Sequence, residues 1–282
     1  MSPLDQILKR AASNPKRVAF PEAEEPRTLA AVERLARERI VHPVLVGRPD
    51  SVRSAAQREG IDLDALSIEV GDYADGEAGR QSDEAAIEAL GGDDRARETA
   101  ATLLGQPLYR AAALVRSGTV DGMVAGAVHP TADTMRAALK IIRPADGLVS
   151  SFFLMALREP TAAGDRVLAF ADCGLVPDPD AEQLVEIARR TAESFRLLIG
   201  DAPRVALLSY STKGSARHQA VDKVIEAAER LAHESPQLVT DGELQLDAAL
   251  VPTVADSKAP GSAVAGRANV LIFPNLDAGN IG

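Results

Sequence analysis

Short apolar runs alternate with amphipathic helical patterns through much of this chain. Residues 17–20 and 44–46 are apolar runs of strand length, whereas residues 27–39 and 51–59 place apolar side chains at helical spacing. Further along, residues 204–208 form another apolar run between two helical patterns. Alternation of this kind is typical of parallel βαβ units, because each helix carries the chain back across the sheet. The sequence therefore predicts an α/β fold.

The second half of the chain departs from strict alternation at one point. Residues 149–157 and 167–171 both resemble strands, and the link between them is too short for a crossover helix. We expect this pair to be antiparallel, so the sheet would be mixed but mostly parallel. The turn-forming residues 143–147 precede the pair and predict a boundary between two α/β domains, residues 1–146 and 147–282.

Other patterns predict individual elements. Residues 181–199 form a long helical pattern, and Asp180 is its predicted N-cap. Residues 72–80 are polar and rich in turn formers, and residues 83–90 and 95–104 are predicted helices on either side of a Gly-Gly pair.

The composition excludes several classes of protein. The 282 residues carry a net charge of −10, whereas a general nucleic-acid binder needs a broad basic surface. The start of the chain lacks the apolar core of a secretory signal, and no apolar run reaches the ~20 residues of a membrane span. We expect a cytoplasmic enzyme with no nucleic-acid or membrane partner.

Metal and thiol chemistry are also disfavoured. The 4 histidines are scattered without the spacing of metal ligands, so no metal site is predicted. Cys173 is the only cysteine, and its neighbour Asp172 disfavours a thiolate. We interpret Cys173 as a small buried residue.

A loop of small residues, 126–131, opens onto a basic helix over 132–142. Thr131 is the predicted N-cap, and Arg136, Lys140 and Arg143 are spaced to share one face. A helix N-terminus with cations beside it suits a phosphate group. An ordinary amphipathic surface helix would show the same spacing, so both interpretations stay open here.

A second loop, residues 209–216, follows a predicted strand. Its hydrogen-bonding side chains include Ser209, Ser211, Thr212, Lys213 and Ser215. Five hydroxyls and one cation in so short a loop favour an anionic, oxygen-rich ligand. The alternative is a polar turn in which Ser215 caps the next helix.

A third loop, residues 275–282, follows the last predicted strand. Asn275, Asp277 and Asn280 could hold a hydroxyl or an amine, or make a tight turn. Ligands of parallel sheets bind beyond the carboxyl ends of the strands. We therefore expect the three loops to line one electropositive site.

These loops carry a resemblance to a known family. The chain looks like the phosphate acetyltransferase (phosphotransacetylase) and phosphate butyryltransferase family, most specifically from about residue 107 onward. The matching segments are DGMVAGAVHPTADTMRAAL, VSSFFLM, FADCGLVPDPDAEQLVEIA, SYSTKGSA, DGELQLDAALVP and FPNLDAGNIG, with looser matches in VAFPEAEEPRTLAA and HPVLVG.

The resemblance implies a fold, an activity and partners. The fold would be two α/β domains flanking a cleft, similar to isocitrate and isopropylmalate dehydrogenases, in a homodimer. The reaction would be reversible acetyl transfer from acetyl-CoA to phosphate, giving acetyl phosphate and CoA, with CoA as a substrate and no cofactor. Arg136 would help bind CoA or phosphate, and the CoA thiolate would attack the acetyl carbonyl.

The resemblance assigns no catalytic residue in this chain. In the family, a later segment of the form P-V-N-D-L-S-R-G carries the serine and arginine, and nearby the aspartate, that are assigned to catalysis, and it would lie beyond Gly282. A non-catalytic, dimerising member that binds CoA or phosphate is therefore the alternative hypothesis. A metal- and nicotinamide-dependent dehydrogenase of the same fold is disfavoured, because no carboxylate cluster suits a divalent metal.

Overall fold

The computed structural model describes residues 3–144 and 147–282. By its internal contacts the chain divides into an N-terminal unit, Leu8–Ala145, and a C-terminal unit, Asp146–Gly282 with Met1–Ile7. The predicted domain boundary after residue 146 lies outside the described residues.

The N-terminal unit contains a four-stranded parallel sheet in the order β3-β2-β1-β4. Helix α1 is shared by the two units, because its residues up to Ile7 belong to the C-terminal unit and its residues from Leu8 belong to this one. The elements are α1 Pro3–Ser13, β1 Lys16–Phe20, α2 Pro26–Arg37, β2 Val41–Val46, α3 Pro49–Arg58, β3 Glu69–Gly71, α4 Gly76–Leu90, α5 Asp94–Leu104, α6 Pro107–Arg116, β4 Gly122–Met123, α7 Thr131–Ala137 and a π-helical segment, Ala138–Ile142.

Apolar side chains from α2, β2 and α3 form the core beside this sheet. Leu29 and Val32 lie one turn apart on α2 and are fully buried against Leu45 and Val52. Fully burying such side chains contributes about 1.5–3 kcal/mol each. Strands β1 and β4 are parallel neighbours, so the loops that follow them begin at the same edge of the sheet.

The C-terminal unit contains a five-stranded sheet in the order β5-β6-β9-β7-β8. Its elements are β5 Phe152–Ala156, β6 Val167–Ala171, α8 Ala181–Ile199, β7 Arg204–Leu208, α9 Gln219–Glu234, β8 Val239–Leu244, α10 Leu246–Leu250, α11 Pro252–Lys258, β9 Val270–Ile272 and α12 Leu276–Ile281. Strand β5 is antiparallel to β6, and the remaining pairs are parallel. The predicted α/β class with mostly parallel, mixed sheets is confirmed.

Helix α8 shows how local sequence positions the edge of this sheet. The Asp180 side chain accepts a hydrogen bond from the Gln183 backbone, and the Gln183 side chain accepts one from the Asp180 backbone. This capping box fixes the start of the helix at the predicted residue. Leu184, Ile187 and Phe195 then bury one helical stripe in the core.

Several predicted boundaries differ from those in the structure. The turn-rich residues 72–80 include the start of α4 at Gly76, because tertiary packing overrides weak propensity there. The short apolar run 120–125 before the first loop forms a strand only at Gly122–Met123, and the predicted helix over 132–142 changes to π-helix after Ala137. The similarity to isocitrate dehydrogenase stays a prediction. Within residues 3–144 and 147–282, no helix is long and apolar enough to span a membrane.

Candidate functional site

A cavity of about 800 Å³ opens at the carboxyl ends of parallel strands in the C-terminal unit. The loops that follow β6, β7 and β9 form its walls, together with the first turns of α8 and α9. The lining residues are Pro177, Asp178, Pro179, Asp180, Ala181, Ser209, Tyr210, His218, Gln219, Ala220, Lys223, Glu226, Pro274, Asn275 and Asp277. This is the edge at which an open parallel sheet binds its ligands.

Two of the predicted loops meet in this cavity. Ser209 comes from the loop after β7, and Asn275 and Asp277 come from the loop after β9. Asn275 also begins α12, because its side chain accepts a hydrogen bond from Ala278 N at 2.9 Å. The structure therefore brings side chains from two of the predicted loops together at one edge of the sheet.

The charge of the cavity differs from the prediction. Four carboxylates line it, from Asp178, Asp180, Glu226 and Asp277, against the single ammonium of Lys223. That ammonium donates to the Asp178 carboxylate at 2.5 Å and to the Pro179 carbonyl at 2.9 Å. The cavity is therefore not the electropositive pocket that the loops led us to expect.

Most hydroxyls of the loop 209–216 are used inside the protein. Ser211 is fully buried, and its hydroxyl donates to Glu243 Oε1 at 2.8 Å. The Thr212 hydroxyl accepts from Gln245 N at 2.9 Å, and the Ser215 hydroxyl accepts from Thr212 N at 3.0 Å. The buried Glu243 carboxylate accepts hydrogen bonds from both the Ser211 hydroxyl and the Gly214 backbone of this loop. The sequence analysis did not predict this role of Glu243.

Lys213 also has an internal partner. Its ammonium forms an ion pair with Asp241 and donates to the Gly242 carbonyl at 3.1 Å. The described lining of the cavity does not include it. Ser215 does not cap the next helix either, because the imidazole of His218 accepts from Ala220 N and begins α9.

The loop 126–131 in the N-terminal unit already holds an anion of its own. The Glu22 carboxylate accepts hydrogen bonds from four consecutive backbone N–H groups and contacts one imidazole nitrogen. The donors are Gly126, Ala127, Val128 and His129 at 3.0, 2.6, 2.8 and 2.7 Å, and His129 Nδ1 lies 2.9 Å from Oε1. The backbone groups expected to meet a phosphate are thus occupied by a side chain from the loop after β1.

Burial alone would raise the pKa of Glu22. Hydrogen bonds from the His129 and Val128 backbone, the His129 side chain and the Ala127 backbone outweigh it and lower the pKa to about 2. The carboxylate therefore stays ionised at neutral pH. Glu22 stands two residues after the end of β1, and the carboxyl ends of β1 and β4 lie side by side at one edge of the sheet. An acidic residue at that position was the signal from which this contact could have been predicted.

The predicted cap and basic face of α7 need correction. Pro130 occupies the N-cap position without a side-chain cap, and Thr131 is the first helical residue. Arg136 is about half exposed and pairs with Asp133 one turn earlier. Arg143 follows the π-helix with a positive φ of 56°, so it does not continue a regular helical face with Arg136 and Lys140.

The loop after β6 is also anchored by a carboxylate. Asp172 accepts from the Ser151 hydroxyl at 2.6 Å and from Gly174 N at 2.7 Å. Burial and this neighbouring carboxylate raise the pKa of Cys173 to about 11, so the thiol is protonated as well as fully buried. Asn280 donates to the Cys173 carbonyl at 3.0 Å and ties α12 to this loop.

Comparison with known proteins decides the family. The model of the phosphate acetyl/butaryl transferase family matches residues 2–282. The chain belongs to this family. A phosphate acetyltransferase from Acetivibrio thermocellus is 45% identical over 291 residues, which cover 100% of this chain and 84% of that protein.

Solved structures agree with this assignment. A phosphotransacetylase from Staphylococcus aureus superposes with a TM-score of 0.87 at 37% identity, over 100% of this chain and 85% of that one. One from Streptococcus pyogenes superposes with a TM-score of 0.88 at 37% identity, over 99% and 83%.

The ten binding positions predicted from the three loops and the helix after the first of them fall into three groups. Ser209, Asn275 and Asp277 line the cavity. A second group makes internal hydrogen bonds or ion pairs within the C-terminal unit: Ser211, Thr212, Lys213, Ser215 and Asn280. Thr131 and Arg136 lie on α7 of the N-terminal unit. Within the described residues, no group of three or more His, Cys, Asp or Glu side chains is placed to hold a metal ion.

Proposed function

We propose that this chain catalyses reversible transfer of an acetyl group between CoA and phosphate. One observation carries the proposal: the family model matches residues 2–282, and relatives named phosphate acetyltransferase align along the whole chain. In this proposal acetyl-CoA and phosphate are substrates, and the protein holds no resident cofactor. A cytoplasmic location remains our prediction from the sequence.

The cavity in the C-terminal unit supports binding of an uncharged part of CoA. Its volume of about 800 Å³ lies within the usual range for small-molecule sites. Ser209, Gln219 and Asn275 offer hydrogen bonds to amides and hydroxyls, and Pro177 and Pro179 offer apolar walls. Its carboxylates disfavour phosphate groups by like-charge repulsion. We therefore assign the amide-containing pantetheine arm of CoA to this cavity.

Thr131 and Arg136 remain our proposed contacts for phosphate or for the phosphates of CoA. Arg136 is exposed enough for its ion pair with Asp133 to contribute little, so an incoming phosphate competes for it easily. The chemical step is attack of the CoA thiolate on the acetyl carbonyl. Cations and hydroxyls would stabilise the oxyanion and the leaving phosphate.

We also propose that the chain forms a homodimer. Strand β5 lies at the edge of its sheet, and Phe153 and Met155, two residues apart, are 48% and 40% exposed. Exposed apolar side chains on an edge strand favour association. Light scattering should give twice the mass of one chain, and the mass of a single chain would contradict the dimer.

The activity is tested by phosphate-dependent release of CoA from acetyl-CoA by purified protein. We expect release with phosphate and none above buffer when sulfate replaces it. CoA binding without turnover in calorimetry would support the alternative, a non-catalytic binding member. If the protein neither releases nor binds CoA, both hypotheses are wrong. Reduction of a nicotinamide cofactor with a 2-hydroxy acid would instead support the dehydrogenase.

A further inference from the structure

Another cavity, of about 580 Å³, lies at the amino ends of strands in the N-terminal unit. Its walls come from the residue before β1, the end of α2, the start of β2 and the loop before β3. The loop 126–131 follows β4 at the opposite, carboxyl edge of the same sheet. The cavity is therefore separate from Thr131 and Arg136, and neither residue lines it.

The lining of this cavity is basic, although the chain carries a net charge of −10. Arg37, Arg39 and His42 line it, and its described lining contains no carboxylate. Within residues 3–144 and 147–282, the Arg39 side chain has neither an ion pair nor a hydrogen bond. Arg37 pairs with Glu33, but its side chain is 63% exposed, so the pair is weak. The cavity thus offers one unpaired guanidinium and a second that an anion can recruit.

The backbone at Arg39 gives no reason for an arginine there. Arg39 N donates to the Ala36 carbonyl at 3.1 Å, and Ile40 N donates to the Leu35 carbonyl at 3.0 Å. These two bonds form the Schellman motif that ends α2, and glycine is the usual residue at the position of Arg39. Arg39 has a φ of 52° at that position, a conformation that is unfavourable for residues with a side chain.

Apolar side chains form most of the remaining wall. Pro43 is buried, and Pro15, Val41 and Leu66 are half-buried. Inorganic phosphate would leave these surfaces in water, whereas a ligand with an apolar body would cover them. Guanidinium groups match the geometry of phosphate oxygens, and the imidazole of His42 can donate a further hydrogen bond.

We propose that this cavity binds a small phosphate monoester with an apolar body, at a site separate from those proposed for acyl transfer. Arg39 and Arg37 contact the phosphate group, and the apolar body packs against Pro43 and Leu66. No bond is made or broken in this site. The proposal does not depend on the proposed function, because it concerns binding alone.

The test titrates phenyl phosphate into the full chain in a calorimeter. We expect Arg39→Gln to weaken binding by about tenfold or more, because hydrogen bonds between charged groups are lost. Arg34→Gln is the matched control, since it removes the same charge from an exposed position on α2 outside the cavity and should retain the wild-type affinity. Inorganic phosphate and phenol should each bind at least about tenfold more weakly than phenyl phosphate, because each lacks one half of the ligand.

Two further variants separate binding from a structural role. Arg39→Gly should weaken binding as Arg39→Gln does, but its melting temperature should stay equal or rise, because glycine suits the end of the helix. A lower melting temperature with unchanged affinity would show that Arg39 serves the end of α2, and the proposal would be wrong. Arg136→Gln should retain the affinity for phenyl phosphate.

The remaining outcomes are equally decisive. Equal affinity of the wild type and Arg39→Gln overturns the proposal, and so does folded wild-type protein that does not bind phenyl phosphate. Loss of affinity in Arg136→Gln but not in Arg39→Gln would assign the probe to α7 and also overturn it. None of these results bears on acetyl transfer, which the release of CoA tests by itself.

Discussion

At the scale of single residues, buried carboxylates take the place that we had expected for a substrate anion. Glu22 accepts from the backbone of 126–129, Asp172 from Gly174, and Glu243 from Gly214. Glu22 and Glu243 each join one of the predicted anion-binding loops to another segment, whereas Asp172 holds its own loop and also accepts from the Ser151 hydroxyl. Loops held in this way are ordered before a ligand arrives, which lowers the entropic cost of binding.

Glu22 gives a prediction about pH and stability. The pKa of Glu22 in the folded protein is about 2, below its ordinary value of 4.5. The ionised carboxylate therefore stabilises the folded protein fully at pH values above 4.5, and this stabilisation is lost as the pH falls from 4.5 towards 2. Glu22→Gln should lower the free energy of unfolding by on the order of 2 kcal/mol near neutral pH, and less at about pH 3. Urea titrations measure this, and the same deficit at both pH values would contradict it.

Ser211 gives a second prediction at this scale. Removing its hydroxyl takes a hydrogen bond from the buried Glu243 carboxylate. We expect Ser211→Ala to cost about 1–3 kcal/mol in urea unfolding. Tyr210→Phe is the control, because Tyr210 is 59% exposed and should change stability by less than about 0.5 kcal/mol. Equal stability of the two variants would show that the loop does not depend on Glu243.

These contacts also mark the limit of prediction from sequence. Residue types and the order of strands located Ser209, Asn275 and Asp277 at one edge. The bond from Glu22 to Gly126 joins residues 104 positions apart, and local patterns carry no information about such a pairing. The sequence therefore predicted where hydrogen-bonding groups occur, but not which of them form hydrogen bonds within the protein and which remain available to a ligand.

At the scale of elements, α8 was predictable because its signals are local. Asp180 and Gln183 form the capping box, and the apolar stripe has helical period. Strand β3 and helix α11 were missed, because a three-residue strand and a seven-residue helix carry too little periodicity. Their positions depend on packing against neighbouring elements.

The capping box gives a prediction for α8. Asp180→Ala removes the acceptor for Gln183 N, so we expect a loss of about 1 kcal/mol in the free energy of unfolding. Glu193→Ala, an exposed position later in the same helix, is the matched control and should change stability by less than about 0.5 kcal/mol. Equal losses in both variants would contradict the role of the cap.

At the scale of the whole molecule, each unit has apolar core clusters of its own. Leu231 is fully buried in the C-terminal unit, and Leu45 is fully buried in the N-terminal unit. Leu231→Ala and Leu45→Ala should each cost about 2–5 kcal/mol. Hydrogen exchange should show the loss of protection mainly in the unit that carries the substitution, because local stability follows local packing. A loss spread equally over both units would contradict this.

The family assignment applies to the whole molecule, because the family model matches residues 2–282 and therefore includes both sheets. Its consequence for this chain is acetyl transfer between CoA and phosphate. The most direct measurement incubates purified protein with CoA and acetyl phosphate and follows the products by mass spectrometry. We predict acetyl-CoA and free phosphate in equal amounts, at a rate that rises with the protein concentration. No acetyl-CoA above the protein-free control, from protein shown to be folded, would contradict the account.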